Sequence, residues 1–435
     1  MIIHPTALKN GDKVSGTTLI SVVGLGYVGL PLAVALSKHY SVIGFDISEE
    51  RVAELRRGHD RTMEIEAPVL RASSMRYSTD IADTADADIY IVTVPTPVDA
   101  LNKPDLSPLE AACRAIGPVL KKGAVVVVES TVYPGVTEDV CGSLLAEISG
   151  LVCGRDFYLG YSPERINPGD KVHTVDKIIK VIAGQTDQVA GILEEIYGAA
   201  TSGGTFRARN IKTAEAAKVI ENAQRDINIA FVNEATMIFQ KLGLSAYDVL
   251  ETAGTKWNFL NFTPGLVGGH CIGIDPFYLA HKANEVGYSP DLILTGRRIN
   301  ESMGQFIADA VGRHLQGVCR VLVLGLTFKE NVPDLRNTKV REIISGLEAM
   351  GHQVDVHDPL ADKIEAQQFF DLDLKENLAD LKGYDAIVGA VAHSVYKDLP
   401  PAALEAMLNT GGVIADVKGM WRHIDFSDGV RRWQL

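Results

Sequence analysis

Short apolar runs rich in valine and isoleucine recur through the first half of the chain and constrain its fold more than any other feature. They include DIYIVTVP and AVVVVEST, in which polarity does not alternate from residue to residue. A strand with one solvated face alternates in polarity, whereas a strand buried on both faces reads as a continuous apolar run. Because helix-like segments separate the runs, the sequence predicts a parallel sheet covered by helices on both faces.

The alternation of strands and helices stops near residue 205 and returns near residue 320 with RVLVLG, QVDVHDP, DAIVGAV and GVIADVKG. Between these points, residues 213–243 predict one long helix that ends at Gly243. The predicted fold class is α/β, with two Rossmann-like doubly wound parallel-sheet domains joined by a central helical region. We expect domains at 1–205, 206–314 and 315–435. The long helix fits a dimer interface and an internal core helix equally well.

The composition excludes several classes of partner. A net charge of −13 argues against a nucleic-acid or anionic-membrane surface, because binding to phosphate backbones needs clustered Lys and Arg. The five cysteines are odd in number and form no CxxC pair, which fits a reducing cytoplasm better than a disulfide framework or a zinc site. The first residues lack the pattern of a signal peptide. We therefore expect a cytoplasmic chain without a metal.

A glycine motif points to a dinucleotide. Gly24, Gly26 and Gly29 have G-x-G-x-x-G spacing between a predicted strand and a predicted helix. Such glycines permit a tight turn, close approach of a pyrophosphate to the backbone, and close packing of helix on strand. The next strand ends in Asp46, where a ribose-binding carboxylate is expected. Asp46 favours NAD over NADP, although Arg51 nearby is able to accept the 2′-phosphate of NADP.

The carboxyl ends of further strands carry polar residues, and ligands of doubly wound sheets bind at that edge. One run ends in Pro95 and Thr96, and another in a segment that contains Thr131. Thr96 is equally an ordinary turn residue. Glu164, followed by Arg165, lies on a stiff proline-flanked loop and is a candidate base, the alternative being a solvated loop residue.

On the long helix, Lys218, Asn222 and Arg225 are spaced to share one face, either as a solvated stripe or as part of a site for an oxyanionic ligand. In the C-terminal part, the segment after RVLVLG lacks G-x-G-x-x-G spacing. It instead offers the cations Lys329 and Arg336, and Lys418 follows a later strand. These cations suit a nucleotide other than a second NAD.

The stretch GGHCIGID places Cys271 behind two glycines and four residues before Asp275. It is either a glycine turn that buries a small residue or a segment that delivers a thiol to a substrate.

With these motifs in the order GLGYVGLP, ESTVYPG, SPERINPG, AEAAKVIEN, PGLVGGHCIGIDP and GLTFKENVPDLRNTK, the chain resembles the UDP-glucose/GDP-mannose dehydrogenase family over nearly its whole length. The resemblance implies a four-electron, NAD-dependent oxidation of a sugar C6 alcohol to a carboxylate, in a homodimer. Cys271 would form a thiohemiacetal and then a thioester.

The resemblance also implies roles for the remaining candidates. Lys218 would stabilise an oxyanion or pass protons, Asn222 would hold that oxygen or a water, and Asp275 would orient the group or act on the hydrolytic water. Glu164 would be the general base in thioester hydrolysis, and Thr131 would help to position a water and the nicotinamide.

Contacts to cofactor and substrate follow from the same match. The implied cofactor contacts are Gly24, Gly26, Tyr27, Val28, Gly29, Asp46, Arg51, Pro95, Thr96, Thr131 and Arg336. The implied substrate contacts are Glu164, Arg165, Ile166, Lys218, Asn222, Arg225, Phe262, Gly265, Phe328, Lys329 and Lys418, with Arg298 reaching a neighbouring subunit.

Gly273 and Ile274 depart from the GGxCxPKD pattern of UDP-glucose enzymes and are closer to the branch that acts on UDP-N-acetylhexosamines. The prediction is UDP-N-acetylglucosamine 6-dehydrogenase, serving capsule or O-antigen synthesis. The C4 epimer UDP-N-acetylgalactosamine stays open because no motif reads one hydroxyl, while UDP-glucose and UDP-N-acetylmannosamine are less favoured. A β-hydroxyacid dehydrogenase needs no thiol, and a non-catalytic sensor of NAD or nucleotide sugars would tend to lose these reactive groups.

Overall fold

The computed structural model describes residues 18–165, 172, 174–269 and 272–435. The described chain separates into two compact units. One contains the residues up to Glu221 together with Phe277–Tyr288, and the other contains Asn222–Pro276 and Ser289–Leu435. The bounds of the three domains that are expected from the sequence stay a prediction.

The first unit contains an eight-stranded sheet within the described residues, with the order β3-β2-β1-β4-β5-β6-β7-β8. Its strands are β1 (Leu19–Val23), β2 (Ser41–Phe45), β3 (Arg76–Ser78), β4 (Ile89–Val92), β5 (Val125–Val128), β6 (Tyr158–Tyr161), β7 (Lys180–Gly184) and β8 (Thr205–Arg207).

The second unit contains a six-stranded sheet within the described residues, with the order β11-β10-β9-β12-β13-β14 and every pairing parallel. Its strands are β9 (Arg320–Leu324), β10 (Gln353–His357), β11 (Leu374–Lys375), β12 (Tyr384–Gly389), β13 (Leu408–Asp416) and β14 (Arg431–Gln434).

Fourteen α-helices lie in the described part of the chain. They are α1 (Gly29–Ser37), α2 (Glu49–Arg56), α3 (Ala67–Ala72), α4 (Ser107–Ile116), α5 (Ser143–Ser149), α6 (Asp187–Ala200), α7 (Ile211–Lys241), α8 (Ala246–Ala253), α9 (Asp275–Glu285), α10 (Asp291–Gly312), α11 (Val340–Ala349), α12 (Lys363–Phe370), α13 (Ser394–Lys397) and α14 (Pro401–Met407).

The central strands bury both of their faces, as the continuous apolar runs predict. In β5, Val125 and Val127 pack into one apolar cluster with α1 and α6, while Val126 and Val128 pack into another with α4 and α5. The second sheet behaves in the same way, with successive residues of β9 entering two different clusters. The predicted fold class is confirmed, because both sheets are doubly wound.

The predicted long helix is α7, and Gly243, the glycine that the sequence indicated, lies just beyond its last residue. Gly243 has a φ of +70°, and the N–H of Leu244 donates to the carbonyl of Phe239 at 2.9 Å. This arrangement satisfies carbonyls that the last helical turn would leave without partners.

One pairing departs from the predicted parallel sheet. Strand β7 runs antiparallel to β6, with Tyr161 opposite Ala183. An apolar run buried on both faces carries no information on strand direction, so the sequence could not reveal this reversal. Its consequence is that Lys180, the first residue of β7, lies at the edge of the sheet where strands β1 to β6 end.

Within the described residues, none of the helices has the length and apolar character that a membrane span requires.

The indole of Trp421 is the largest fully buried side chain described, and its Nε1 donates to the Tyr396 carbonyl at 2.9 Å. We expect Trp421→Ala to lower the free energy of unfolding by about 3–5 kcal/mol, because it removes apolar contacts and leaves a cavity. Urea unfolding followed by circular dichroism measures this. Trp257→Ala is the matched control because Trp257 is 91% exposed. Equal losses in the two variants would contradict the assignment of Trp421 to the core.

Candidate functional site

The glycine loop lies where the order of the first sheet reverses, between β1 and β4. Loops that follow two such strands flank a crevice in which ligands of doubly wound sheets bind. The loop after β1 includes Tyr27 and Val28, both half-buried, and the loop after β4 carries exposed Pro95 and half-buried Thr96. The structure therefore brings these four predicted cofactor residues to one edge.

Glycine suits each position of the motif for a different physical reason. Gly24 has a φ of +96°, in the left-handed region that favours glycine. A Cβ on Gly29 would lie 1.9 Å from the Gly24 carbonyl oxygen, so helix and strand approach too closely for any side chain. A Cβ on Gly26 would meet no atom within 4 Å, and Gly26 is exposed. The loop is thus packed on its inner side and open at Gly26, which fits a pyrophosphate at the start of α1.

Asp46 follows β2 and is oriented by the loop itself. Its two carboxylate oxygens accept hydrogen bonds from the backbone N–H groups of Leu25 and Ser48, each at 2.9 Å. This geometry fixes the carboxylate at the position expected to bind the cofactor ribose.

Arg51 is buried and holds the same loop from behind. Its Nε donates to the Leu25 carbonyl at 2.9 Å, and its guanidinium also pairs with Glu54 and with Asp60. Burial alone would raise the pKa of Asp60, but hydrogen bonds from Thr62 and the Ile65 backbone, together with the Arg51 charge, lower it. Two carboxylates therefore already neutralise the cation that the sequence offered as a partner of a 2′-phosphate.

Glu164 lies beyond β6 in a buried ionic cluster. The ammonium of Lys180 donates to Glu164 at 2.7 Å and to Glu129, just after β5, at 2.8 Å. The second Glu164 oxygen accepts the backbone N–H of Arg165 at 2.6 Å. Tyr197 on α6 donates its hydroxyl to Glu129. The structure therefore holds the predicted base in a fixed orientation.

Burial sets the charges of this cluster. It raises the pKa of Glu129 to about 7, against the opposing effect of Lys180. Burial alone would lower the pKa of Lys180, but the two adjacent carboxylates raise it. Burial and the Glu129 carboxylate together raise the pKa of Tyr197. One ammonium thus faces two carboxyl groups, and Glu129 takes up a proton near neutral pH.

Thr131 lies half-buried in the loop after β5, and this loop is clamped from α7. Glu215 accepts the backbone N–H groups of Gly135 at 2.6 Å and Thr137 at 2.9 Å. Burial raises the pKa of Glu215 to about 7, although both hydrogen bonds oppose the rise. Glu215 therefore fixes the loop that carries Thr131.

Of the three polar residues predicted to share one face of the long helix, two are buried. Asn222 donates its side-chain amide to Asp275 at 2.5 Å, and both residues are buried. Lys218 lies one turn earlier on α7 and is also buried, whereas Arg225 is exposed. Cys271, to which the central chemistry was assigned, lies outside the described residues.

The second sheet carries its own pocket at the carboxyl ends of β9, β12 and β13. The pocket measures about 310 Å³ including the solvent at its mouth, and Phe328, Lys329, Thr338 and Lys418 contribute to its wall. Desolvation lowers the pKa of the Lys418 ammonium. Lys339, which pairs with Glu342 at 3.0 Å, is a third lysine of the lining. Lysines in one concave site provide the charge that a nucleotide diphosphate requires.

Gly265 belongs to this pocket's surroundings, because a Cβ there would approach the Lys418 ammonium to 3.3 Å. Its backbone N–H donates to Asn233 at 2.8 Å, and Asn233 donates to Asn300. Asn300 in turn donates to Asp226, as does Arg297 at 2.6 Å. A buried polar network between α7 and α10 thus fixes the glycine beside Lys418.

The loop after β9 is held by a strand-end carboxylate, as the glycine loop of the first sheet is, with a histidine in addition. Asp358 follows β10 as Asp46 follows β2, and it accepts the backbone N–H groups of Leu326 at 2.6 Å and Thr327 at 3.0 Å. The His393 Nε2 lies 3.0 Å from the same carboxylate. Burial alone would raise the pKa of Asp358, but these hydrogen bonds lower it to about 2.

The remaining predicted contacts are exposed, half-buried or outside the described residues. Arg336 is exposed and forms a two-pronged ion pair with Asp334, and Arg298 is exposed on α10. Phe262 is half-buried, and exposed Arg165 pairs with Glu221 on α7. Ile166 lies outside the described residues. Within those residues, no group of three or more His, Cys, Asp or Glu side chains could hold a metal ion.

The sequence analysis missed Lys180, Tyr197 and Glu215. Lysine and glutamate are almost never fully buried unless they are paired, so no single-sequence pattern flags them. Lys180 does stand at the start of an otherwise apolar run, and that is the only signal the sequence offered.

The three glycines allow a matched experiment on cofactor binding. We expect Gly26→Ala to weaken NAD binding about tenfold or more without loss of stability, because its methyl group would obstruct the pyrophosphate alone. Gly29→Ala should instead lower the free energy of unfolding by about 2 kcal/mol or more, because its methyl group collides with backbone. Calorimetric NAD titration and thermal unfolding separate the two. Gly191→Ala, where a Cβ meets nothing within 4 Å, is the control for both; unchanged NAD affinity in Gly26→Ala would refute the loop assignment.

Glu215 should make stability depend on pH. Because folding raises its pKa, its contribution is complete below the unfolded value of about 4.3. That contribution is lost as the pH rises through about 7. Relative to the parent, Glu215→Gln should therefore gain about 1–3 kcal/mol of stability between pH 5 and pH 8, on top of a constant loss from the weakened clamp. Urea midpoints at the two pH values measure this, with Glu147→Gln, an exposed carboxylate, as control. A difference that does not change with pH would contradict the burial of an ionisable Glu215.

Three consecutive segments match one protein family. Residues 18–201 match the NAD binding domain of the UDP-glucose/GDP-mannose dehydrogenase family, residues 212–302 its central domain, and residues 322–423 its UDP binding domain.

Relatives match over nearly their whole length. Protein CapL of Staphylococcus aureus is 50% identical over 423 residues, covering 96% of this chain and 99% of CapL. UDP-N-acetyl-D-glucosamine 6-dehydrogenase of Pseudomonas aeruginosa is 48% identical, covering 92% of this chain and 96% of the relative. The enzyme of the same name from Salmonella typhi is 45% identical, with coverages of 92% and 95%.

Solved structures agree on the fold. UDP-D-ManNAc dehydrogenase from Pyrococcus horikoshii has a TM-score of 0.84 at 30% identity, covering 95% of this chain and 99% of that structure. The UDP-N-acetyl-mannosamine dehydrogenase Cap5O from S. aureus has a TM-score of 0.80 at 29% identity, with coverages of 96% and 98%. The chain therefore belongs to the UDP-glucose/GDP-mannose dehydrogenase family, and it is an NAD-dependent oxidoreductase that acts on a nucleotide sugar.

Proposed function

We propose that the chain is a UDP-N-acetylglucosamine 6-dehydrogenase that forms the corresponding uronic acid for surface polysaccharide synthesis. The observation that carries this choice is the level of identity. The two relatives named for UDP-N-acetyl-D-glucosamine are 48% and 45% identical to this chain, whereas the two structures named for mannosamine substrates are 30% and 29% identical.

The proposed reaction balances as two oxidations and one hydrolysis. The C6 alcohol loses a hydride and a proton to give an aldehyde, and the Cys271 thiol adds to the aldehyde carbon. Loss of a second hydride and a proton from that adduct leaves a thioester, and water then releases the carboxylate with a third proton and regenerates the thiol. NAD⁺, held by the glycine loop and Asp46, would supply the oxidant for both hydrides, so each sugar yields two NADH and three protons.

Cys271 is proposed as the nucleophile because the cysteines in the described residues are unsuited to that role. Cys113, Cys141 and Cys319 are buried. The neighbouring Cys113 thiol and burial raise the pKa of Cys141, and burial raises the pKa of half-buried Cys153. Nucleophilic catalysis needs a thiolate, so thiols with a raised pKa are disfavoured. Cys271, on a glycine-rich segment, remains.

Lys218, Asn222 and Asp275 are proposed to handle the oxygen at C6. A buried ammonium one helical turn from a buried amide provides a positive charge and a donor toward a developing oxyanion. Asp275 fixes the Asn222 amide through their hydrogen bond of 2.5 Å, which determines the direction in which the remaining amide groups point. Glu164 is proposed as the base that takes the proton of the hydrolytic water, and Thr131 as a neighbour that orients this water.

Lys329, Lys418 and Phe328 are proposed to bind the UDP group. The two lysines supply cations for the diphosphate, and the Phe328 ring forms an apolar wall of the same pocket. The pocket lies at the point where the order of the second sheet reverses, between β9 and β12, where nucleotides bind in folds of this kind.

A homodimer is proposed as the assembly. Helix α7 exposes Ile220, Phe231 and Ile238 by 57%, 65% and 52%, respectively. A helix that leaves large apolar side chains exposed along its length favours an interface over solvent.

The principal alternative is the C4 epimer UDP-N-acetylgalactosamine, which differs by the orientation of one hydroxyl group. A non-catalytic sensor of NAD or nucleotide sugars is a different class of function. The oriented Glu164 and the buried Asn222–Asp275 pair speak against a sensor, because binding alone requires neither.

NADH yield at end point tests the proposal. With limiting UDP-N-acetylglucosamine we expect two NADH per sugar, and fewer turnovers per second with the galactose epimer and with UDP-glucose. Cys271→Ala should lower the steady-state rate by about 1,000-fold or more, because the aldehyde no longer forms a covalent adduct. Cys153→Ala is the matched control and should keep the parent's rate.

One NADH per sugar would indicate a single oxidation and refute the role of Cys271. Faster turnover of the galactose epimer would reassign the substrate while retaining the reaction. A folded parent chain that binds NAD but oxidises none of the three sugars would favour the sensor.

A further inference from the structure

We propose that Lys180 is a positioning residue for the general base Glu164, and that Glu129 and Tyr197 hold Lys180 in place. This inference rests on the proposed function, because it assigns Glu164 the base role there. No motif contains Lys180, and its contribution follows from the geometry of the described residues.

The reversal of β7 brings Lys180 to the site. Tyr161 of β6 lies opposite Ala183 of β7, so the residue three positions after Tyr161 comes opposite the residue three positions before Ala183. These residues are Glu164 and Lys180. Had β7 run parallel to β6, its first residue would lie at the other edge of the sheet, away from the loops that bind ligands.

Several contacts together fix the position of the Lys180 side chain. Its ammonium donates to Glu164 at 2.7 Å and to Glu129 at 2.8 Å, and it lies 5.4 Å from the centre of the Tyr197 ring. Lys180 is 1% exposed and Glu129 is 1% exposed, whereas Glu164 is 6% exposed. The cation is therefore inaccessible to solvent, and of the two carboxylates Glu164 lies nearer to the surface.

Burying a cation with two carboxylates is costly unless each partner is hydrogen-bonded. Replacement of such a cluster by apolar side chains is often neutral or stabilising, so stability alone does not explain the arrangement. What the cluster achieves is a carboxylate whose two oxygens are both held, one by Lys180 and one by the Arg165 backbone N–H. A base held in this way needs no reorganisation when it takes up a proton.

The first test compares Lys180→Met with the parent by rapid mixing with UDP-N-acetylglucosamine and NAD⁺. Because hydrolysis is the step that needs the base, the variant should retain a fast burst of NADH and then turn over about tenfold to hundredfold more slowly. Intact-protein mass spectrometry should show the covalent acyl adduct accumulating. Lys121→Met, which removes a half-buried lysine paired with Asp88, is the control.

A merely structural lysine gives a different result. In that case NAD affinity, the burst and the steady-state rate would fall together. A Lys180→Met variant with the parent's steady-state rate would also overturn the proposal.

Glu129→Gln keeps the test decisive if Lys180→Met does not fold. It retains the Lys180–Glu164 ion pair and removes the carboxylate that holds Lys180 from the other side, so the NADH burst should remain and the steady-state rate should fall. A burst that falls together with the steady-state rate, or an unchanged steady-state rate, would refute the proposal. The parent chain, measured first, separates this inference from the proposed function: without two NADH per sugar in the parent, the function itself fails and the variants do not bear on it.

Discussion

One buried ammonium group, that of Lys180, determines how the carboxyl edge of the first sheet is arranged. It can reach Glu164 and Glu129 together only because β7 runs against β6, while the strands that carry the two glutamates run parallel to each other. The cost of burying this cation is offset by the carboxyl groups close to it. The reversed strand, the two strand-end glutamates and the Tyr197 hydroxyl from α6 therefore form one connected cluster. Loss of Lys180 would leave both carboxyl groups buried without their cation.

In both sheets a strand-end carboxylate holds the loop that follows the neighbouring strand, but the surroundings of the two loops differ. Asp46 and Asp358 follow equivalent strands, and each carboxylate accepts backbone N–H groups of the loop beside it. In the first sheet the loop is open at Gly26, where a Cβ would meet no atom of the described residues within 4 Å. In the second sheet, lysines at positions 329 and 418 contribute to the wall of a pocket. The shared carboxylate fixes the backbone of both loops, whereas the residues around each loop differ.

The sequence predicted those features that repeat along the chain. Continuous apolar runs predicted the central strands of both sheets, because burial on two faces leaves a compositional signal. The long helix was predicted within two residues at each end, since Gly243 marks its termination. Strands β3, β8 and β11 have only two or three residues, and β14 is mostly polar, so none of them carries such a signal. Residues whose role depends on distant partners were also missed: the direction of β7 and the burial of Lys180 are tertiary facts. Cys271 and Ile166 lie outside the described residues, and their roles stay predictions.

Buried ion clusters in this chain hold loops and side chains in place. Arg51, neutralised by Glu54 and Asp60, donates to the Leu25 carbonyl within the glycine loop. Arg297 and Asp226 anchor the asparagines that hold Gly265 beside Lys418. A loop next to a ligand site cannot be fixed by apolar packing alone, because its exposed N–H and C=O groups need partners with defined directions. Charged side chains supply those directions and tolerate burial when they are paired. Lys180 applies the same principle to a carboxylate side chain, that of Glu164, at the edge where strands β5 and β6 end.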